Sequence, residues 1–220
     1  MWEYNDHNNY NQHVKHQRGQ ICNDGFSIEI RNLAKNTNNK SFLEIGTWNG
    51  MGSTKQFVEE LSARNDDYVF YSLECNKEKS EFAQELYKNQ QNVHILNEVI
   101  FNETPSNFYD IFPQCKTNEM YKKWNDVDIF NMQQSKLFLE RKDLPEVFDV
   151  ILLDGGEFTT YFEYQILKDR CKYLMLDDIK VDKCTLIVKE IEENPDKWEI
   201  VNKNMETRNG FMICKNISNL

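Results

Sequence analysis

The sequence predicts an α/β fold, a doubly wound and mostly parallel sheet with helices on both faces. Three observations lead there. Short apolar runs alternate with helix-patterned segments from Phe26 onward, as in βαβ units. Phe148 to Leu153 is almost wholly apolar, as expected of a strand covered on both faces. The successive predicted strands also end in acids or amides: Glu44, Glu74, Asn97 with Glu98, Asp154, and Asp177 with Asp178. Strand ends of this kind are where ligands collect in open α/β sheets.

Each element follows from local pattern. Phe26, Ile30, Leu33 and Ala34 give a helical stripe, and Phe42 to Ile45 forms a short apolar strand. Gly52 or Ser53 opens a helix with Phe57, Val58 and Leu61 on one face. Tyr68 to Glu74 is a strand rich in aromatics, followed by a helix with Phe82, Leu86 and Tyr87 inward and a strand from Asn92 to Leu96. Phe148 to Leu153 and Lys172 to Asp178 are the fourth and fifth strands. Asp182 is placed to N-cap a helix containing Leu186, Ile187 and Ile191. Trp198 to Asn204 and Gly210 to Asn216 close the chain as an antiparallel pair.

At 220 residues the chain suits one domain, read here as 25–220, preceded by a polar segment over 1–24. That segment reads as a solvated tail whose His7, His13 and His16 would bind metal only adventitiously. The insert around 99–146 is longer than a crossover needs, and holds two helix-compatible stretches. It reads either as extra packing or as a lid beside the strand ends.

The formal net charge of −10, with no basic stripe interleaved with aromatics, argues against nucleic acid and anionic membrane as partners. No apolar run approaches the ~18 residues needed to span a bilayer, and the amino-terminal stretch lacks the apolar core of a signal peptide. The six cysteines form no CxxC pair and read as reduced, mostly buried thiols, which with the missing signal peptide suggests a cytoplasmic protein.

The segment "LEIGTWNGMGS" carries Gly46, Gly50 and Gly52, three of the chain's eight glycines. The order is G-x-x-x-G-x-G, not the G-x-G-x-x-G of dinucleotide folds. The loop joins a strand to a helix, whose N–H groups suit an anionic group. Glu44 would repel a pyrophosphate, so a ligand bearing both an amine and a carboxylate fits better. Glu74, one strand later, is placed to accept from vicinal ribose hydroxyls.

"LEIGTWNG" resembles motif I of the class I S-adenosylmethionine-dependent methyltransferases, and Glu74 stands where their ribose-binding acid stands. The resemblance implies a Rossmann-like sheet of seven strands with the last inserted antiparallel, and S-adenosyl-L-methionine as cofactor. By the same resemblance Glu44 faces the methionine amine, and Gly46 permits close approach of the ligand. Thr47, Trp48 and Asn49, with Gly50 and Ser53, line the methionine end. Asn97 or Glu98 lies near the adenine, and Asp154 is shared between cofactor and acceptor.

Asp154 and the pair Asp177–Asp178 end neighbouring strands in this order, so they should converge. Two carboxylates ~4 Å apart repel by about 4 kcal/mol at an effective dielectric near 20. Either one is protonated or a cation sits between them. All-oxygen ligands suit Mg²⁺ or Mn²⁺. The three acids are similar in position to the metal ligands of catechol-type O-methyltransferases. "DGGEFTTY" resembles a segment of sugar and antibiotic O-methyltransferases, with Glu157 where those have His and where the catechol type has a Lys base. The resemblance implies transfer of a methyl group to a hydroxyl of a sugar, a glycan or another small molecule, with Asp154 and Glu157 as candidate catalytic carboxylates. Tyr161, Phe162, Tyr164 and Trp124 are either core residues or platforms for a sugar face. Two other readings stay open: a non-catalytic cofactor-binding partner subunit, and an NAD-dependent oxidoreductase.

Overall fold

The structure is a computed structural model and describes residues 17–218, so His7, His13 and His16 lie outside the described residues. Its centre is a seven-stranded sheet. The strands are β1 (Ser41–Ile45), β2 (Val69–Leu73), β3 (Val93–Leu96), β6 (Phe148–Leu153), β7 (Cys171–Asp177), β8 (Trp198–Asn204) and β9 (Phe211–Asn216). A separate parallel pair joins β4 (Glu98–Val99) to β5 (Lys136–Leu137). The order in the large sheet is β3-β2-β1-β6-β7-β9-β8, with β9 antiparallel to both of its neighbours. This is the mostly parallel, Rossmann-like sheet with an inserted antiparallel strand that the sequence predicts.

The strand period of two divides the core. Leu43 and Ile45 pack with Tyr164 and Leu167 of α7 (Thr160–Leu167) and with Ile187 and Ile191 of α8 (Asp182–Glu193). Phe42 faces the other way, among Phe26 and Ile30 of α1 (Gly25–Lys35) and Phe57 and Leu61 of α2 (Ser53–Ser62). Each fully buried Phe contributes roughly 1.5–3 kcal/mol relative to exposure.

Helix ends show how local sequence sets the frame. Asp24 and Ser27 form a reciprocal capping box at the start of α1. Asn76 caps α3 (Lys77–Tyr87), accepting from the Lys79 N–H. Ser80 and Ala83 take the inner face of α3, with Phe82 and Tyr87 half-buried. These small residues bring the helix close to Gly50 and turn Leu86 outward, 46% exposed, against expectation. Asp182 is the first residue of α8 and not its cap; that position falls to Val181, with no side-chain cap bond. The cap comes instead from another loop: Glu157 accepts the Lys183 N–H at 3.2 Å.

The insert folds as three helices, α4 (Phe108–Ile111), α5 (Gln114–Thr117) and α6 (Glu119–Gln133). The second helix-compatible stretch stops at Gln133, because Lys136 and Leu137 pair as β5 against Glu98 and Val99. Phe108, Phe112 and Cys115 of the insert form a satellite core with Phe158 and Phe162. Tyr164 lies in the main core, its hydroxyl 3.2 Å from Glu190, and Trp124 packs on Tyr121. All six cysteines are unpaired. Among the described residues, no helix is long and apolar enough to cross a membrane.

Candidate functional site

The sheet order reverses between β1 and β6, and the strands there end at one cavity of about 460 Å³. Its size and place suit a small-molecule site at a topological switch point. Gly46, Thr47, Trp48 and Ser53 line it from the glycine loop, Glu74 from the end of β2, and Glu98 from β4. Asp154, Asp177 and Asp178 line it from the ends of β6 and β7. Glu44, Asn49, Gly50, Asn97 and Glu157 do not.

Strand alternation explains Glu44. It shares the face of Phe42, fully buried, and its Oε2 accepts from the hydroxyls of Thr54 and Ser72. Burial raises its pKa, against the pull of the Ser53, Ser72 and Thr54 hydroxyls. Asn49 and Asn97 are structural amides. The first donates to the Gln17 carbonyl at 2.8 Å, the second to the carbonyls of Glu74 and Cys75 at 2.8 and 2.9 Å.

The glycines make room for the chain itself. A Cβ on Gly46 (φ +99°) would run into the Asp154 carbonyl, and one on Gly50 (φ +76°) would press on Ala83 and Tyr87. Gly46 lines the cavity, and its missing side chain also lets the ends of β1 and β6 meet. Gly19 packs backbone to backbone on Gly52, and its N–H bonds the Met51 carbonyl at 3.1 Å. Residues 17–21, expected to be tail, therefore form a wall of the cavity, with Ile21 buried.

Glu74 is held rigidly. One oxygen accepts the Trp48 N–H and the other the Asn76 N–H, each at 2.8 Å. Trp48 adopts a left-handed φ of +51°, which aims that N–H. Oε2, which accepts only the Trp48 N–H, retains a lone pair for a ligand hydroxyl, while Oε1 also takes a weak donor, the Cys75 thiol, at 3.8 Å. Burial raises the Glu74 pKa, with Lys79 and the two N–H groups pulling it down. Glu98, by contrast, is engaged by both arms of a bidentate fork from Arg141, at 2.7 Å each.

Asp154, Asp177 and Asp178 do converge, offering ligand atoms within 4.8 Å of one another. The cation among them is a side chain. Lys183, a residue only 7% exposed, donates through Nζ to Asp154 Oδ1 at 2.6 Å and lies 3.1 Å from Asp178 Oδ2. Burial opposes the ammonium charge, but Asp154 and Asp178 outweigh it and hold Lys183 well above its ordinary pKa. Burial alone would raise Asp178, yet the Lys183 charge brings it down. Arg208 donates to Asp177 Oδ2 at 2.7 Å, and burial with the nearby Asp154 carboxylate still pushes Asp177 up to about 7. Asp178 sits at φ +59°, a conformation that costs roughly 1–2 kcal/mol for a side-chain-bearing residue.

Sequence reasoning missed Lys183, Glu163 and Asp128. Glu163 lines the cavity at 4% exposure, its Oε2 has no partner, and burial with the Asp128 charge lifts its pKa to about 8. The pair Gly155–Gly156 lets these acids approach: a Cβ on Gly155 would meet Glu163 Oε2 at 2.7 Å, and one on Gly156 would meet Asp128 Oδ2 at 2.5 Å. The four aromatics considered for a sugar face, Tyr161, Phe162, Tyr164 and Trp124, do not line the cavity.

No protein-family model matches the chain, and no curated protein does. Solved structures match over most of its length. A cofactor-bound protein from MTB, Rv0187, aligns at a TM-score of 0.56 and 13% identity, over 91% of this chain and 84% of that one. A methyltransferase from Geobacter sulfurreducens gives 0.55 and 8%, over 90% and 80%. The O-methyltransferase from Bacillus cereus, in complex with SAH, gives 0.54 and 12%, over 86% and 80%. The fold is that of the class I S-adenosylmethionine-dependent methyltransferases.

Proposed function

We propose that the chain is an S-adenosylmethionine-dependent O-methyltransferase acting on a small-molecule hydroxyl. The observation that carries this is Glu74: a buried carboxylate, fixed by two backbone N–H groups, after the second strand of a methyltransferase-like sheet and on the wall of its switch-point cavity. Glu74 takes the ribose hydroxyls. Gly46, Thr47, Trp48 and Ser53 hold the methionine end, with the α2 amino terminus, which has no side-chain cap bond, toward its carboxylate. Eight Asp and Glu residues line the cavity against three Lys and Arg, a balance that suits a sulfonium cation and disfavours the pyrophosphate of NAD.

The cofactor supplies an electrophilic methyl group. The chain must align the acceptor oxygen with it, exclude water and take one proton. Asp154 is the base we favour: it lines the cavity, and burial raises its pKa against the pull of Lys183. Glu157 is spent on capping α8 and stands off the cavity. A sugar hydroxyl is the favoured acceptor, supported by the "DGGEF" segment alone. Mg²⁺ or Mn²⁺ at Asp154, Asp177 and Asp178 fits poorly, because Lys183 already stands among them, and no step is assigned to a metal.

Calorimetric titration with S-adenosylmethionine, its demethylated product and NAD tests the reading. Binding of the first two and not of NAD is expected; NAD binding alone would overturn it. Turnover with a panel of hydroxylated acceptors then separates an enzyme from a cofactor-binding subunit.

A further inference from the structure

Three strand-end carboxylates from two neighbouring strands meet within 4.8 Å, the arrangement that in an all-oxygen site attracts a divalent ion. Here that arrangement carries its own counter-charges. Lys183 reaches in from the first turn of α8 and bonds Asp154 at 2.6 Å, with Asp178 at 3.1 Å. Arg208 reaches in from the loop before β9 and bonds Asp177 at 2.7 Å and Asp24 at 2.9 Å. Lys183 is almost completely buried, so its charge is not screened away by solvent.

A Mg²⁺ or Mn²⁺ ion would draw on the same three carboxylates at about 2.1 Å. It would then lie against an ammonium that is bonded to two of those three residues. Two cations sharing the carboxylates of Asp154 and Asp178 in a buried, poorly screened corner repel each other, and Lys183 is tethered by the peptide chain while an ion must come from solution. Of the three N–H donors of an ammonium, two are used by Asp154 and Asp178, which leaves one for an oxygen in the cavity that Lys183 lines. Asp177 Oδ1 and Asp178 Oδ1 are buried without a hydrogen-bond partner, beside a cavity into which a ligand hydroxyl would bring a donor.

We propose that Lys183 is the resident cation of this site, replacing a divalent ion, and that it binds and steadies the acceptor oxygen while Asp154 takes its proton. The proposal rests on the methyltransferase reading for its catalytic part, and on geometry alone for the exclusion of the metal. Lys183 remains an ammonium throughout and exchanges no proton.

The test has two arms. Mn²⁺ binding to the purified chain is followed by electron paramagnetic resonance, with no cofactor or acceptor present. The parent chain should leave Mn²⁺ free at micromolar concentrations, and Lys183→Met, which keeps the stem volume, should gain a Mn²⁺ site that Asp178→Asn then removes. Stoichiometric micromolar binding by the parent would overturn the proposal, and so would a folded Lys183→Met chain that gains none. If that variant does not fold, the parent's Mn²⁺ titration decides alone. In the second arm, methyl transfer by the parent should be unchanged in excess EDTA. Lys183→Met should lose about 100-fold or more in transfer while keeping cofactor affinity, and Mn²⁺ should restore part of the loss. Transfer abolished by EDTA in the parent refutes the inference. Failure to bind S-adenosylmethionine would sink the functional reading and leave the Mn²⁺ result standing.

Discussion

Two acidic corners of one cavity are built in opposite ways. At the end of β2, Glu74 is held by backbone N–H groups from the loop beside it and the loop that follows it. At the ends of β6 and β7, Asp154, Asp177 and Asp178 are held by the side chains of Lys183 and Arg208, which arrive from later segments. Backbone donors are fixed once the fold forms and carry only partial charge, so Glu74 keeps its own charge available to a ligand. Lys183 and Arg208 carry full charge and nearly neutralise their corner. On the proposed function, the first corner would grip neutral hydroxyls, and the second would manage charge that changes during the reaction.

If that division is right, the largest effect lies in the second corner. Asp154→Asn should cost transfer by on the order of 10²–10⁴-fold, the usual worth of a general base, while calorimetry shows cofactor affinity nearly unchanged. A collapse of cofactor binding in this variant would erase the distinction between the corners.

Glu163 sharpens the contrast, because its Oε2 has neither kind of partner. Burial and the Asp128 carboxylate lift its pKa from 4.5 to about 8, with Lys183 and the Thr160 hydroxyl pulling the other way. The folded chain therefore keeps this proton over a range where the unfolded chain releases it. Stability from this group is complete below the unfolded value and is lost as pH rises toward 8, by on the order of 5 kcal/mol. Glu163→Gln should remove that fall and be the more stable protein at alkaline pH. Parallel stability curves for parent and variant, measured by denaturant unfolding across the range, would count against it.

In the first corner, Glu74→Ala should weaken S-adenosylmethionine binding by ~1.5–3 kcal/mol, the worth of charge-assisted hydrogen bonds. Unchanged affinity in a folded variant would remove Glu74 from the ribose. The smallest effect is expected at Glu98, whose two oxygens are already taken by Arg141. Glu98→Gln should shift cofactor affinity by less than about threefold, within ~0.7 kcal/mol, and a loss equal to that of Glu74→Ala would show that the fork opens for the ligand.

How far these features were legible depends on the range of the forces involved. The strands follow from period-two and near-continuous apolar runs, while their order and the meeting of Asp154 with Asp177 and Asp178 follow from the doubly wound arrangement of alternating strands and helices and from the resemblance to the class I methyltransferases. Glu74 was legible because its position relative to β2 is a local fact. Glu44 was misplaced toward the ligand, though its even spacing from Phe42 already put it on the α2 face. Lys183 was hidden in plain view: in "DDIKVDK" it stands five residues after Asp178, but only the turn after β7 and the start of α8 bring the two together. A rule that buried acids need partners prompts a search for a nearby Lys before a metal. The insert misled for another reason. Its helix pattern runs past Gln133, and only the long-range pairing of Lys136 and Leu137 with Glu98 and Val99 ends it.

The contact of Gly19 with Gly52 bears on where the folding unit begins. Composition invites a boundary at residue 24, and a fragment begun at Gly25 would retain every strand, each glycine of the loop and every acid that lines the cavity. It would lack Asp24, the capping residue of α1 and a ligand of Arg208. It would also lack the backbone ribbon that closes the loop side of the cavity and supplies the carbonyl partner of Asn49. Such a fragment would be a sheet with an open trough in place of a pocket, so the shortest useful version of this protein starts upstream of Gln17.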